Sequence, residues 1–451
     1  MSHTHGAPQR RLDMTVVVAV VLVVLTVVAL ALTRPGAPAA ERHAPTPATL
    51  SSAVVICPDP LDPSTSVGVT GPAAGTVVAG SRSLTLQPDG VTKVAPGTAP
   101  VIVQGSGATA PGLVAGMSTV SPLTALDCTP PSANQWFTGV GAGPTHASVI
   151  ELANPNPGPA IANIDVLGGD GPVDVPALRG VEVAGHGTAS LDLGKLVPTT
   201  DLLALHVTVD RGQVGVAVRD RGERLSGSTS TEDWLAPQAH PSTHNLLLGV
   251  QPGNGNRQTL ALANDTGSEV RASVRLVTSA STFAPSSLKP IVIKAHSVSQ
   301  TILDDVLASS VAAGAVGLEV DASAPVTASL RAVVANDLTL LAPGQPFTQQ
   351  TTVVVPKGAK TLVLGGATGV GAVTVVARNG AGKQLSSTRV AVGPDKAETV
   401  HVPAGAVWIS VAPERVAVQG TVLVTGSGSA VVRLRELVRS AQVPHVAPGL
   451  P

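Results

Sequence analysis

The chain has no tyrosine, three phenylalanines and three tryptophans in 451 residues, so aromatics make up 1% of it. Without tyrosine there is no tyrosine corner, which sets it apart from antibody-type domains. Charge is scarce as well: 13% of residues, against about 25% in an ordinary globular chain. A net charge of −1 offers no electrostatic ground for nucleic acid or an anionic membrane surface as a partner. The two cysteines, Cys57 and Cys128, are far outside CxxC spacing, which removes a zinc ribbon and a thioredoxin motif. HExxH, GxSxG and Walker A patterns are all missing. No catalytic, cofactor-binding or metal-ligating residue is therefore assigned. No cofactor is expected, and the expectation is a non-enzymatic protein.

What remains is rich in Val, Ala, Leu, Thr, Gly (47) and Pro (38). Val- and Thr-rich runs broken by Gly and Pro are the signature of many short strands. One segment stands apart. Met14–Leu32, MTVVVAVVLVVLTVVALAL, carries no charge. At about 1.5 Å per residue a helix of this length crosses a bilayer's hydrocarbon core. Arg10 and Arg11 precede it, which places residues 1–13 in the cytoplasm and the bulk outside. A cleaved signal peptide is the competing reading, with Ala37-Pro38-Ala39 as a cleavage site. The length of the run and Arg34 behind it favour an uncleaved anchor. In an exported chain a Cys57–Cys128 bridge is expected. The membrane, through residues 14–32, is the one partner that can be named. Residues 33–50, with four prolines, read as an extended spacer.

Beyond residue 132 the chain repeats itself. IELANPNPGPAIANIDVLG at 150–168 returns as LALANDTGSEVRASVRLVT at 260–278. Each continues in the same order, to LLALHVTVDRGQVGVAVRD and to VGLEVDASAPVTASLRAVV. A looser third round begins AKTLVLGGATGVGAVTVVAR and ends VWISVAPERVAVQGTVLV. Leu152, Leu262 and Leu364 align, as do Val214, Val326 and Val416; Trp408 aligns with His206. A period near 100 residues with about seven alternating strands predicts immunoglobulin-like β-sandwiches. The turns Asn154–Gly158 and Gly365–Gly371 read as local strand–turn–strand connections, and Asp210-Arg211-Gly212 as a hairpin. The expected architecture is all-β. The helix at 14–32 leads to a small disulfide-stapled β domain of a different kind (51–132), then to sandwiches at 133–240, 241–345 and 346–441 and a loose tail at 442–451.

Candidate functional residues are few. Gly105-Ser106-Gly107 and Gly426–Ala430 read as turns rather than nucleophile loops. His3 and His5 sit in the N-terminal tail, and His206 reads as a packing position in a strand. Asp304-Asp305 and Asp192 read as polar turn positions. Trp136, Phe137, Trp234 and Trp408 are assigned to seams between domains, with sugar contact as the alternative.

The order of features carries a resemblance. An N-terminal apolar segment precedes ICP at 56–58, then a cysteine, NQWFTG, ANPNP, DRGQVGVAV and TEDWLAP, and a second round with ALAND. This order resembles the secreted or anchored actinobacterial family DUF5719 over about residues 50–440; the third unit departs by lacking the Asn-Pro turn. The resemblance implies a cell-envelope setting. That family has no established activity, so no catalytic residue is carried over. Three functions follow as expectations: an envelope scaffold or protein-interaction array, a glycan-binding accessory protein, and, more weakly, an envelope hydrolase.

Overall fold

The computed structural model describes residues 14–32, 46–198, 200–224 and 227–443. The cytoplasmic tail 1–13, most of the spacer at 33–45 and the end of the tail at 444–451 lie outside these residues. The chain divides into two compact units, residues 1–48 with 442–451, and residues 49–441. In the first, Met14–Leu32 forms one 19-residue helix with no buried residue. Apart from Thr15 and Thr26 its side chains are apolar, and it is long and apolar enough to cross a membrane.

The second unit is all-β apart from single helical turns such as Leu193–Leu196 and Asp304–Ala308. Its strands form four modules, spanning 52–127, 134–235, 242–341 and 351–433, here modules I to IV. Each has two sheets in one order. One sheet runs first, sixth, third, fourth strand; the other runs fifth, second, seventh, eighth. In modules II and III two short segments share the fourth place: Gly171–Val173 with Val181–Val183, and Thr282–Phe283 with Ile291–Ile293. Alternating residues from both sheets meet in a core, for example Ile150, Leu152, Ile164, Leu205 and Val218 in module II.

Three sequence expectations need correction. First, residues 51–132 were expected to form a different kind of domain, yet module I has the same strand order as the others. Its strands are short and its core residues small, so its sequence pattern is faint. Second, the predicted local hairpins are arches between sheets. His146–Ala153 and Ala160–Gly168, on either side of Asn154–Gly158, belong to different sheets, as do the strands flanking Gly365–Gly371. Asp210-Arg211-Gly212 likewise carries the chain from one sheet to the other. In module III the corresponding path is one 20-residue strand, Ala315–Val334, whose halves serve opposite sheets. Third, two alignments slip by two residues. Leu152, Leu262 and Leu364 pair with Val216, Ala328 and Gly420, so the partner of Val214 and Val326 in module IV is Val418. By the same reasoning His206 matches Glu319 and Ser410 rather than Trp408.

The arch of modules II and III is locked by a buried asparagine. Asn154 Nδ2 donates to the carbonyls of Gly158, Val183 and Ala184 at 2.8, 3.1 and 3.2 Å, and its Oδ1 accepts from Asn156 N at 2.9 Å. Asn264 does the same with Ser268, Ile293, Lys294 and Thr266. Strand register puts Gly71 and Gly366 in this place in modules I and IV.

The four modules close on one another. The first strand of each packs on the outer face of the next module's second or seventh strand, where small residues admit it. Ile56 lies against Gly215, Leu246 and Leu248 against Gly365, and Val354 of module IV against Gly68 and Gly116 of module I. A Cβ on Gly116 would stand 2.6 Å from the Val354 carbonyl oxygen. Between modules II and III, Thr138 and Thr327 hydroxyls meet at 2.5 Å, and Ser329 Oγ donates to the Thr138 carbonyl. The cycle I–II–III–IV–I is thus complete within the unit.

Candidate functional site

The eighth strands line the middle of this ring. Leu340 N donates to Asp233 Oδ2 at 2.9 Å, linking modules III and II, and Ser429 N donates to Asp337 Oδ2 at 3.1 Å, linking IV and III. Their outward side chains fill a neighbour's core. Trp234 of II packs in the core of I, Leu338 and Leu340 of III in that of II, and Leu123 and Ala125 of I in that of IV. Val431 of IV packs against the core of III.

Where these strands end, the connectors to the next module begin: TPPS at 129–132, APQAHP at 236–241 and APGQP at 342–346. Proline removes donors from each, so pairing is limited to single bridges, Thr129 with Ile56 and Gln238 with Trp136. They surround a cavity of about 630 Å3 together with the end of module IV's last strand. Two arginines from that end, two residues apart, tie the connectors down. Arg433 Nη1 donates to the Pro343 carbonyl at 2.6 Å and Nη2 to the Pro237 carbonyl at 2.8 Å. Arg435 forms an ion pair with Asp127 and donates to the Cys128 carbonyl at 3.2 Å. From one strand end the pair therefore reaches modules I, II and III.

The electrostatics follow from burial. Burial pushes the Arg433 guanidinium down to about 10, with Asp127 acting against this. Burial raises Asp127 and outweighs the opposing field of Arg435. Glu151, on the same wall, is raised to about 7, by burial first and by neighbouring Asp59 second. It accepts from Asp59 N at 3.1 Å, at the joint between modules I and II.

Cys57 and Cys128 are bonded to each other, 71 residues apart, tying the first strand of module I to its exit beside this cavity. Phe137 is fully buried in the module II core. Trp136, 4% exposed, sits between modules II and III with Ala204, Ala263 and Val298, and stacks on His206 at 4.0 Å with 7° between the rings. Burial lowers the His206 pKa. Trp234 is 5% exposed, and Trp408 is 4% exposed with Arg378 over its ring at 5.3 Å. None of the three indole faces is open enough to stack on a sugar. Asp192 Oδ1 accepts from Gly194 N, capping a helical turn, and Asp304 Oδ1 accepts from Gln258 N. Gly105 leads into a turn at Gly107–Thr109, and Gly426 opens the turn to Ser429–Arg433. His3 and His5 lie outside the described residues.

Two groupings that the sequence reading missed have the residue types of a reactive site. Ser148, His146 and Asp220 meet in module II. However, Ser148 Oγ donates to Asp220 Oδ1 at 2.6 Å, and His146 Nε2 bonds the same oxygen at 2.8 Å. An activated serine must instead bond the imidazole. Burial lifts Asp220, but His146, Arg331 and Ser148 outweigh it and hold it below the ordinary range. Since Arg331 belongs to module III, the cluster is a joint between modules. His244, Glu319 and Asp321 have metal-ligand types with ligand atoms within 4.8 Å of one another. Arg275 already occupies the cation's place, 2.6 Å from Glu319 and 3.5 Å from Asp321. One sequence signal pointed to the axial cavity: Pro-rich connectors recur after the eighth strands of modules I, II and III at the period of the repeat.

No curated protein matches this chain. A family model described as a family of unknown function, DUF5719, matches residues 90–403. The match begins at the fifth strand of module I, Thr92–Val94, and ends after the fifth strand of module IV, Glu398–Val402. It thus takes in all of modules II and III and the Pro-rich connectors between them. The chain belongs to the DUF5719 family.

Proposed function

We propose that this protein is a non-enzymatic, membrane-anchored array of β modules, held outside the cytoplasm by Met14–Leu32 and serving as a protein-interaction scaffold of the cell envelope. One observation carries the reading. The apolar helix leads to a ring of modules in which four carboxylates, Asp127, Asp220, Asp233 and Asp337, are each held at a joint between modules. Chemistry-bearing residues are thus spent on rigidity, which a platform needs. In-cell photo-cross-linking from exposed Ile302 and Val370, combined with protease access to intact cells, tests it. The expected result is an outward-facing array that cross-links from these sites to one discrete envelope protein, with a single charge reversal near the site abolishing the product. A protease-shielded array, or turnover of an envelope polymer by the purified chain, overturns it.

A glycan-binding role is the second reading, and one feature favours it. A hollow of about 300 Å3 brings Asp165, Asp174, Arg179 and Asp265 around the Trp136–His206 stack. Carboxylates and an arginine beside a stacked ring are a means of holding sugar hydroxyls. Loss of envelope-polysaccharide retention in an Arg179→Ala, Asp165→Ala double variant supports it; unchanged retention removes it.

A further inference from the structure

The axial cavity has walls of two kinds. Its sides are apolar, with Leu126, Pro130, Leu235, Pro237 and Pro346 among them. Arg433 stands in the same wall, and among the described residues no carboxylate forms an ion pair with it. Two of the five N–H donors of this guanidinium go to neutral carbonyls, those of Pro343 and Pro237. The carboxylate whose field reaches it, Asp127, is already held by Arg435. Two arginines thus share one acid. The wall's second acid, Glu151, lies 4.0 Å from Arg219. A partly buried cation with no paired carboxylate is costly, and an anion placed against it offsets that cost. The volume, about 630 Å3, falls within the range of about 300–1,000 Å3 usual for ligand cavities. Apolar walls ask for an aliphatic body, and one unpaired guanidinium with free donors asks for one anionic head.

We propose that the axial cavity binds an anionic amphiphile, an aliphatic chain ending in a carboxylate or a phosphate, with the head on Arg433 and the chain against the proline connectors. The inference goes beyond a scaffold role and does not depend on it. A ligand there would touch all four modules at once, so its binding would be felt by the whole ring.

The full chain in lipid nanodiscs is irradiated with a diazirine-bearing palmitate, with a diazirine-bearing lysophosphatidate, and with an amine and an alcohol of matching length; adducts are mapped by mass spectrometry. Adducts on peptides holding residues 126–130, 235–241 and 340–346 are expected with the anionic probes. Palmitate alone labelling these peptides assigns the head to a free carboxylate, and lysophosphatidate alone assigns it to a lipid phosphate. The amine and alcohol should label about tenfold less, as should Arg433→Gln, since a charge-assisted contact is lost. Arg433→Lys should retain part of the labelling. Because Arg433 also ties the connectors, Ala236→Trp serves as a second variant that fills the cavity and leaves both arginines in place. It too should block labelling. Equal labelling by all four probes, adducts confined to residues 14–32, or labelling that survives Ala236→Trp overturns the proposal.

Discussion

Replacing Arg435 by Gln should open the seam between modules IV and I. Asp127 and Arg435 are 10% and 22% exposed, so their contact is far from a surface ion pair. Removing one member of a buried pair costs about 3–5 kcal/mol, chiefly because the other charge is left without a partner. Asp127 then has only the field of Arg433 set against burial, so its pKa rises further and it takes up a proton as the pH falls. The cost should therefore be largest near pH 8 and smaller near pH 5. Asp127→Asn combined with Arg435→Gln leaves no orphan charge, so the double variant should lose less than the sum of the singles. Urea denaturation of the full chain, with hydrogen exchange followed in Thr124–Asp127 and Ser429–Arg433, measures all of this. A single-variant cost below about 1 kcal/mol, typical of an exposed pair, refutes the reasoning. So does strict additivity, or a cost that does not change with pH.

Three further outcomes are expected. Asn154→Ala and Asn264→Ala should each cost about 2–4 kcal/mol by stranding buried carbonyls, and their effects should add because the two lie in different modules; thermal unfolding of the singles and the double checks this. Glu151 is raised to about 7 from 4.5 and Asp337 to about 6 from 3.8, so the folded state holds these protons more tightly than the unfolded chain does. Stability should therefore rise as the pH falls from 8 through 7 and 6, and be lost again on raising it. Asp220, held below 3.8, works the other way only at lower pH, whereas His206, lowered from 6.5 by burial, opposes the gain as the pH falls below about 6.5. Melting temperatures between pH 5 and 8 follow the trend, and Glu151→Gln should flatten it. Reducing Cys57–Cys128 should cost about 4 kcal/mol by the chain-entropy estimate for a loop of 71 residues, with faster exchange concentrated in Ser52–Cys57.

Local features were readable because their causes are local. The absence of charge in Met14–Leu32, the alternation of Ile150, Leu152, Ile164 and Val166, and the Pro, Asn and Gly at strand ends each act over a few residues. Alternation says which side chains face inward, but an arch and a hairpin share the same alternation and the same turn residues. They differ only in which strand completes the ladder, and for Ala160–Gly168 that strand lies some 40 residues on, at Leu203–Arg211. Asn154 was readable as a turn residue, while its bonds to Val183 and Ala184 depend on a segment brought alongside by the fold.

The site was hidden for the same reason. Arg433 ends a late strand and Arg435 lies two residues beyond it, while Asp127 is about 300 residues earlier; nothing in their spacing relates them. The amino-acid order by itself determined the apolar helix, the β character and the repetition along residues 133–441, since these follow from periodicity and composition. Only tertiary structure decided that residues 52–127 share that plan, that the last module closes on the first, and that Pro-rich connectors enclose a cavity. Closure depends on small outer-face residues such as Gly68, Gly116 and Gly215 meeting a partner strand, and a glycine's meaning lies in what approaches it.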